Sequence, residues 1–521
     1  MSFNKDEPCQ ALFDNSNNVL RVMHNLYTDN IMSDVFLKVG NKVHAAHKLI
    51  LCAFSDVFQA MLMRREWAEW SESHVVLQEL PQCEPVFHHF LEYFYTGKIL
   101  ITHTNVMGIL CLADKYIVKS LTRLCTEYMC QHISHAASHN VLFSWLQYTI
   151  SCNHEEAALK CMNYVKWNLE SVANTPEFGD FDAELFSTVL QQNDLVVYNE
   201  MVLFNFVLRW LDLQKIAMLN SGLPRDEIQK HMKHLVEAIM SHIRFPMMTP
   251  RELADLLLSP LIKEHKEFFV DRMAIGMIFH AGQTDRLKSL CATEEGQRLL
   301  TPRLYTCDNF SAIMLIENVL SLPNYHTNTF VFYSNMSAAD CESDKLYEWV
   351  VDLYPRGVWF KRCYLIVWQG ILEVPEEILK TVRLSLSFRG QIDEGASMKV
   401  RVGILIYAKQ GGIESIYNVI ERNHHFTEQD RLLNIDNFIP FEEFNASAAD
   451  SVAWPFPAGT TGISEDSESS TQNAKTSRYL IGPNCDQLKI NIVITPRCPD
   501  YGGNGHLVSD TTSNPYTLID T

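Results

Sequence analysis

No apolar run in this 521-residue chain approaches the roughly 20 consecutive residues that a helix needs to cross a bilayer, because polar residues interrupt every long stretch. No membrane partner is therefore expected. The opening residues, MSFNKDEPCQ, contain no apolar h-region, so no secretory signal is expected either. Positive charge is scarce: 43 Lys and Arg stand against 62 Asp and Glu, a formal net charge of −19. Binding phosphate backbones needs clustered cations, so a dominant nucleic-acid role is excluded. The 14 cysteines include no C-x-x-C pair, which rules out a zinc finger or RING module. Cys111, Cys125 and Cys161 fall inside helical patterns and read as reduced core thiols of an intracellular chain, cytoplasmic and also compatible with the nucleus.

Signatures of catalysis are missing too. There is no P-loop and no G-x-S-x-G. His154-Glu155-Glu156 begins like a zinc-protease helix, but the position four beyond His154 is Ala158, so the two-histidine face fails. His132, His135 and His139 share a helical spacing but have no carboxylate or cysteine set nearby. Gly502-Gly503-x-Gly505 follows no strand–helix unit and reads as tail. The residues nominate no catalytic group, no cofactor site and no metal site. An enzyme with an unrecognised site stays open as the weakest reading.

What is present is ordinary globular material, 47% hydrophobic and 20% charged, enough for two to four domains. Its organising stretch is Ser33–Leu62. Val35, Leu37 and Val39 alternate with Phe36 and Lys38, the period of a half-buried strand. Gly40-Asn41 is a turn dipeptide, and Lys42-Val43-His44 fits a returning strand. The period then becomes helical. Leu49, Leu51, Cys52 and Phe54 share one face, Ser55-Asp56 breaks the helix with N-cap residues, and Phe58, Met61 and Leu62 continue inward. A helix before this core, 17–29, carries Val19, Met23 and Leu26 on one stripe, with Leu20 and Tyr27 beside it. Later come a strand at Val75–Leu77, a helix from Pro81 that carries Phe87, Phe90 and Phe94 and ends at Thr96-Gly97, and helices near 104–115 and 118–132.

Ser33, Asp34, Val35, Leu37, Val39, His44, His47, Lys48, Leu51, Ser55, Phe58 and Met61 together resemble the opening of a BTB/POZ domain. Phe90-Leu91-x-Tyr93-x-Tyr95-Thr96-Gly97 and Leu110-x-Leu112-Ala113-Asp114-x-Tyr116 resemble its continuation. From 138 to about 290 the pattern is helical, and two pieces resemble the BACK domain that follows BTB in cullin adaptors: NExxLFxxVLxW from Asn199 and IRFPxMxPxxL from Ile243. Thr249-Pro250 reads as N-cap plus first-turn proline. The propeller repeats of the BTB–Kelch group are missing. Instead, alternating runs at 312–316, 329–333, 364–368, 382–388, 399–407 and 488–494 predict an antiparallel sandwich. Trp349-x-x-x-Leu353-Tyr354-Pro355-x-Gly357 resembles the TRAF/MATH fold, where such a motif precedes a long strand.

The expected architecture is a multidomain α+β chain. A BTB/POZ α/β domain spans 17–133, an all-α BACK domain 138–290 and a TRAF/MATH-like β-sandwich 303–496. A disordered Ser/Thr-rich and acidic loop is expected near 445–478, open to a plain or a regulatory reading, and a flexible tail at 497–521. The resemblance implies an adaptor: the BTB–BACK half holds the cullin scaffold of a ubiquitin ligase, the sandwich holds an unknown protein client, and the chain forms a homodimer. The competing implication is a scaffold or transcription co-regulator in which BTB only dimerises. BTB adaptors carry a hydrophobic-x-acidic triplet after the second core helix. Trp67-Ala68-Glu69 fits it with one residue inserted, leaving Leu62 or Trp70 as alternative anchors. The candidate dimer residues are Val19, Met23, Leu26, Asp34 and Lys48. The last two are expected as a buried opposite-charge pair, serving either folding or a partner-binding pocket.

Overall fold

The computed structural model describes residues 14–336, 346–358, 366–367, 370–371, 379–392, 397–445 and 477–496. The chain divides into two compact units, one up to Asn163 and one from Tyr164.

The first unit opens with α1 (Ser16–Thr28), then β1 (Val35–Val39), β2 (Lys42–Ala46), α2 (Lys48–Phe54), α3 (Asp56–Met63) and β3 (His74–Leu77). The strands form a sheet in the order β2-β1-β3, with β1 antiparallel to β2 and parallel to β3. A parallel neighbour needs a crossover, and α2–α3 supply it. The alternation read in β1 holds: Val35, Leu37 and Val39 are buried. Ser55 breaks the two helices as expected, its side chain accepting from Phe58 N and donating to the Tyr116 carbonyl at 2.6 Å. The α2 face is narrower than its pattern implied. Leu51 is buried, but Leu49 is 79% exposed and Phe54 46%, because a seven-residue helix turns little more than one side to the core.

Next come α4 (Phe87–Thr96), α5 (Val106–Lys115), α6 (Lys119–Gln131), α7 (Ile133–Ser138) and α8 (Leu142–Ser151), then the start of α9 (Glu155–Trp167). α4 starts at Phe87 rather than at Pro81, since 81–86 is a run of turns. It ends where expected, with Gly97 at φ +65° donating to the Tyr93 carbonyl. Phe58 stacks on Tyr116 at 4.3 Å, and Phe54 stacks on Phe94 at 5.5 Å, so aromatic contacts bind the crossover helices to the end of α5 and to α4.

The second unit holds α10 (Leu169–Ala173), α11 (Ala183–Gln191), β4 (Val196–Val197), α12 (Glu200–Asn220), α13 (Arg225–Met240), α14 (Pro250–Leu256), α15 (Pro260–Glu264), α16 (Lys266–His280), α17 (Thr284–Cys291) and α18 (Glu294–Leu300). Thr249 caps α14 in a capping box with Glu252, as the Thr-Pro signal predicted. The strands that follow are β5 (Leu304–Tyr305), β6 (Ser311–Ile316), β7 (Asn328–Ser334), β8 (Tyr347–Tyr354), β9 (Ile366–Val367), β10 (Gly370–Ile371), β11 (Arg383–Phe388), β12 (Met398–Gln410), β13 (Ile413–Phe426), β14 (Leu432–Ile435) and β15 (Leu488–Pro496). Two four-stranded sheets, β14-β11-β8-β7 and β13-β12-β15-β6, enclose a core around Trp349. Trp349 lies 5.1 Å from Phe388 and 5.3 Å from Phe426, and its indole N–H donates to Ser334 Oγ.

Among the described strands, β4, β5, β8, β10, β13 and β14 had no sequence expectation. The stretch that directly follows the TRAF-like motif, 359–365, lies outside the described residues, and with it the start of the long strand expected there. The Trp349–Tyr354 portion of the motif is itself part of strand β8. Of the run at 364–368 only Ile366 and Val367 are described, pairing with Ile371 and Gly370. Most of the loop expected near 445–478, and the tail at 497–521, also lie outside.

The outer face of the second sheet is covered as well. β4 and β5 pair in parallel, and Val196, Leu304, Leu405, Ile416 and Val493 form a small core of their own. Gly403 makes room for it, since a Cβ there would stand 2.7 Å from Leu304 Cδ2. Asn168 adds a two-point clasp: its amide donates to the Ile416 carbonyl at 2.9 Å and its oxygen accepts from Ile416 N at 2.8 Å.

Beneath this junction lies a buried polar network. Glu200 and Arg303, both with fully buried side chains, pair at 3.2 Å. The carboxylate also accepts from Tyr305 Oη at 2.7 Å and Arg244 N at 2.8 Å. The Arg303 guanidinium donates to the Leu190, Gln192 and His242 carbonyls. The His242 ring sits beside this network with Nε2 2.8 Å from Ser187 Oγ. Burial first, and then Arg298 and Arg303, push its pKa down to about 4. The unfolded ring titrates near 6.5, so the unfolded chain takes up a proton that the folded one refuses. Stability should be fully present above about pH 6.5 and fall as pH drops toward about 4, by about 1 kcal/mol after allowance for the ring's partial exposure. Denaturation midpoints between pH 7 and pH 4 check this, and His242→Gln should flatten that slope.

Candidate interaction surfaces

α3 ends at Met63 with Arg64 as its C-cap, and the chain then makes a short 3-10 turn, Ala68–Trp70. Trp67 enters that turn with extended backbone and is 51% exposed; Trp70 is 41% exposed. The Arg65 guanidinium lies 5.4 Å over the Trp70 ring, which holds that ring to its own loop. Glu69 is half-buried. Leu62 is 1% exposed and belongs to the core. It is therefore no candidate anchor: its place on the inward face of α3 excludes it. Of the three aromatic or aliphatic candidates, Trp67 alone is both half-exposed and free of a stacking cation among the described residues. Sequence reading missed Met63, 61% exposed, together with Leu49 and Phe54 on α2. Helical spacing assigned Leu49 and Phe54 inward, and only the short length of α2 could have warned otherwise; Met63 was read as part of the loop and given no role.

Asp34 and Lys48 do not form the expected buried ion pair. Asp34 is exposed, and its Oδ1 accepts from the backbone N–H of Lys48 at 2.7 Å, serving as a cap at the start of α2. The Lys48 ammonium turns instead to the Trp70 carbonyl at 3.2 Å and the Glu72 carbonyl at 3.4 Å. The reason is geometric: when the carboxylate binds the first-turn N–H, the lysine side chain is free to reach carbonyls of the following loop. Lys48 thus helps to shape the loop that presents Trp67.

α1 is fastened at one end only. Tyr27 stacks on Tyr95 at 4.8 Å and donates to the His88 carbonyl at 3.1 Å. Met23 and Leu26 are half-buried, whereas Val19, Leu20 and Val22 are 58%, 44% and 51% exposed. No residue of α1 is buried. The expected stripe is therefore split, with Val19 outward and the other two turned partly onto the chain itself.

The histidines that drew attention have other occupations. His154 Nε2 lies 2.8 Å from Asp114 Oδ2, and Tyr148 donates to the same oxygen at 2.9 Å. His132 Nδ1 lies 2.9 Å from the Tyr128 carbonyl, and His139 packs against His103 at 4.0 Å. Among the described residues no helix is long and apolar enough to cross a membrane.

A BTB/POZ domain family model matches residues 23–133, and the BACK model, described as BTB And C-terminal Kelch, matches 142–221. A third, described as BTBD17 TRAF domain, matches 300–498. The chain is a BTB–BACK protein with a TRAF domain of the BTBD17 type. BTB/POZ domain-containing protein 17 of Homo sapiens is 27% identical over 357 residues, 67% of this chain and 68% of that protein. Its Xenopus laevis counterpart is 26% identical over 355 residues, 67% of this chain and 70% of that protein. Galectin-3-binding protein of Mus musculus is 23% identical over 286 residues, 54% of this chain and 46% of that protein. The solved BTB domain of zebrafish PATZ1, 22% identical with a TM-score of 0.20, aligns over 23% of this chain and 97% of its own. These matches give the BTB–BACK chain a protein-interaction role. The antiparallel C-terminal sheets fall within the TRAF match.

Proposed function

We propose that this BTB–BACK protein is a substrate-recognition adaptor of a cullin–RING ubiquitin ligase. The BTB and BACK modules bind the cullin, the TRAF domain binds a protein client, and the chain itself catalyses nothing. Its mechanism is proximity: holding client and ligase on one scaffold raises their effective concentration, and a homodimer doubles both sites. It acts where cullins act, in the cytoplasm or nucleus.

The observation that carries this reading is Trp67, a large aromatic left half-exposed on a loop after α3 and followed two residues later by Glu69. Aromatic side chains that enter a partner's pocket dominate interface energy, and a neighbouring carboxylate fixes orientation more than affinity. Trp67→Ala should cost more than about 2 kcal/mol of affinity for the cullin's N-terminal domain and leave the fold intact. Calorimetric titration of the full chain measures it. Undiminished affinity in the variant would reject this anchor. No binding by the wild type would reject the ligase and leave the scaffold or co-regulator reading.

A further inference from the structure

The helical part of the second unit contains a groove of about 1150 Å³, bounded by the end of α12, by α13 and by the junction of α15 with α16. Its apolar lining is Ile228, Met232 and Phe268, with the exposed Leu219 at its edge. Its rim bears six cations: Lys215, Arg225, Lys230, Lys233, Lys263 and Lys266. All six are exposed, and none makes an ion pair or a side-chain hydrogen bond among the described residues. Elsewhere cations in this unit find carboxylates: Lys166 meets Asp194 at 2.6 Å, Arg272 meets Glu295 at 2.8 Å, and Lys489 meets Glu414 at 2.6 Å. Four carboxylates, Asp226, Glu237, Glu264 and Glu267, also line the groove. The lining is thus two charges positive, within a chain whose formal charge is −19.

Helix stability does not account for this placement. Arg225 opens α13 and Lys266 opens α16. A helix N-terminus carries partial positive charge, so a cation there is mildly unfavourable. Neither helix has a side-chain N-cap hydrogen bond, so the first-turn N–H groups add to the attraction for an anion.

We propose that this groove docks an acidic, amphipathic peptide segment of a partner protein. Carboxylates of the segment pair with the rim lysines, and its Leu or Phe side chains pack on the apolar lining beside Phe268 and Leu219. The interspersed carboxylates argue against a nucleic acid, because regularly spaced phosphates would meet them, and bases or sugars would leave the apolar lining poorly covered. Concavity argues against a lipid surface.

The test uses the full chain and fluorescence anisotropy with a fluorescein-labelled peptide. That peptide is rich in Glu and Asp, with Leu and Phe at helical spacing. A second peptide keeps its charge but has Ser at the Leu and Phe positions, and a third probe is single-stranded RNA. The first peptide should bind, and should weaken as salt shortens the screening length. Lys230→Glu with Lys233→Glu should lower its affinity at least about tenfold, equivalent to about 1.4 kcal/mol. Lys288→Glu, outside the groove, should leave it unchanged, with circular dichroism confirming that both variants fold. Failure of the first peptide to bind, wild-type affinity in the double variant, equal binding of the Ser peptide, or tighter binding of RNA would each overturn the proposal.

Discussion

Replacing Arg303 with methionine should destabilise the second unit by about 3–5 kcal/mol, the cost of leaving a buried charge without its partner. Glu200 would keep only Tyr305 Oη and Arg244 N as donors, and the Leu190, Gln192 and His242 carbonyls would lose a shared one. Removing both charges should hurt less than the sum. Glu200→Gln combined with Arg303→Met removes both members of the pair, so the cycle with the two single variants measures their coupling. Urea denaturation followed by circular dichroism and tryptophan fluorescence is the assay. A loss below about 1 kcal/mol for the single Arg303 variant would mean that water reaches the network. The same residues change where the chain can be cut. A truncation at 300 removes Arg303 and strands Glu200 among the helices, so that shortened chain should lose stability rather than remain a robust BTB–BACK fragment.

This junction also marks where the sequence was hard to read. Helix and sandwich looked separable because the hydrophobic period switches near residue 300, from helical to alternating. Period reports which way side chains point, not what lies opposite them. One signal was present: Ile404-Leu405-Ile406 breaks strict alternation, as a strand covered on both faces must, and Leu405 does pack outward against Leu304 and Val196. Glu200 gave no such sign, being one acidic residue at the start of a helix, where carboxylates are common. The hairpin and the caps were legible because each rests on local chemistry: alternation in β1, Ser55 as N-cap and Gly97 as C-cap in the first unit, and Thr249-Pro250 ahead of α14 in the second. β13 was not, since its polar positions fall on a strand whose burial is mostly partial, and no clean period of two survives. At the interaction loop, sequence put Trp67 first but could not remove Leu62 and Trp70 as alternatives. Removing Leu62 needed burial, which depends on how α3 is rotated against the core. Asp34 and Lys48 were paired by charge, although the contact formed is between a carboxylate and a backbone N–H.

Placing aspartates at Val19 and Val22 should abolish self-association. Both valines lie on the part of α1 that the described residues leave uncovered, with Leu20 beside them. One turn apart on a helix, they form a continuous apolar strip. In isolation that strip has no reason to be apolar: Tyr27 already secures the far end of the helix to α4 through Tyr95 and the His88 carbonyl. A second copy that covers it would gain about 25 cal/mol for each Å² of apolar surface removed from water. Two carboxylates set into such an interface, facing their copies across a twofold axis, lose that gain. They also add the desolvation of unpaired charge, worth several kcal/mol each. Met23 is the poorer target, although it shares the original stripe. It is half-buried against its own chain, so a charge there would mix unfolding with dissociation. Light scattering on the purified full chain separates the outcomes. Wild type should run at twice the monomer mass, and Val19→Asp with Val22→Asp at the monomer mass, with unchanged circular dichroism. A folded double variant that stays dimeric would move the interface elsewhere on the chain. The adaptor reading would then keep the cullin contact at Trp67 and lose the paired geometry that doubles its sites.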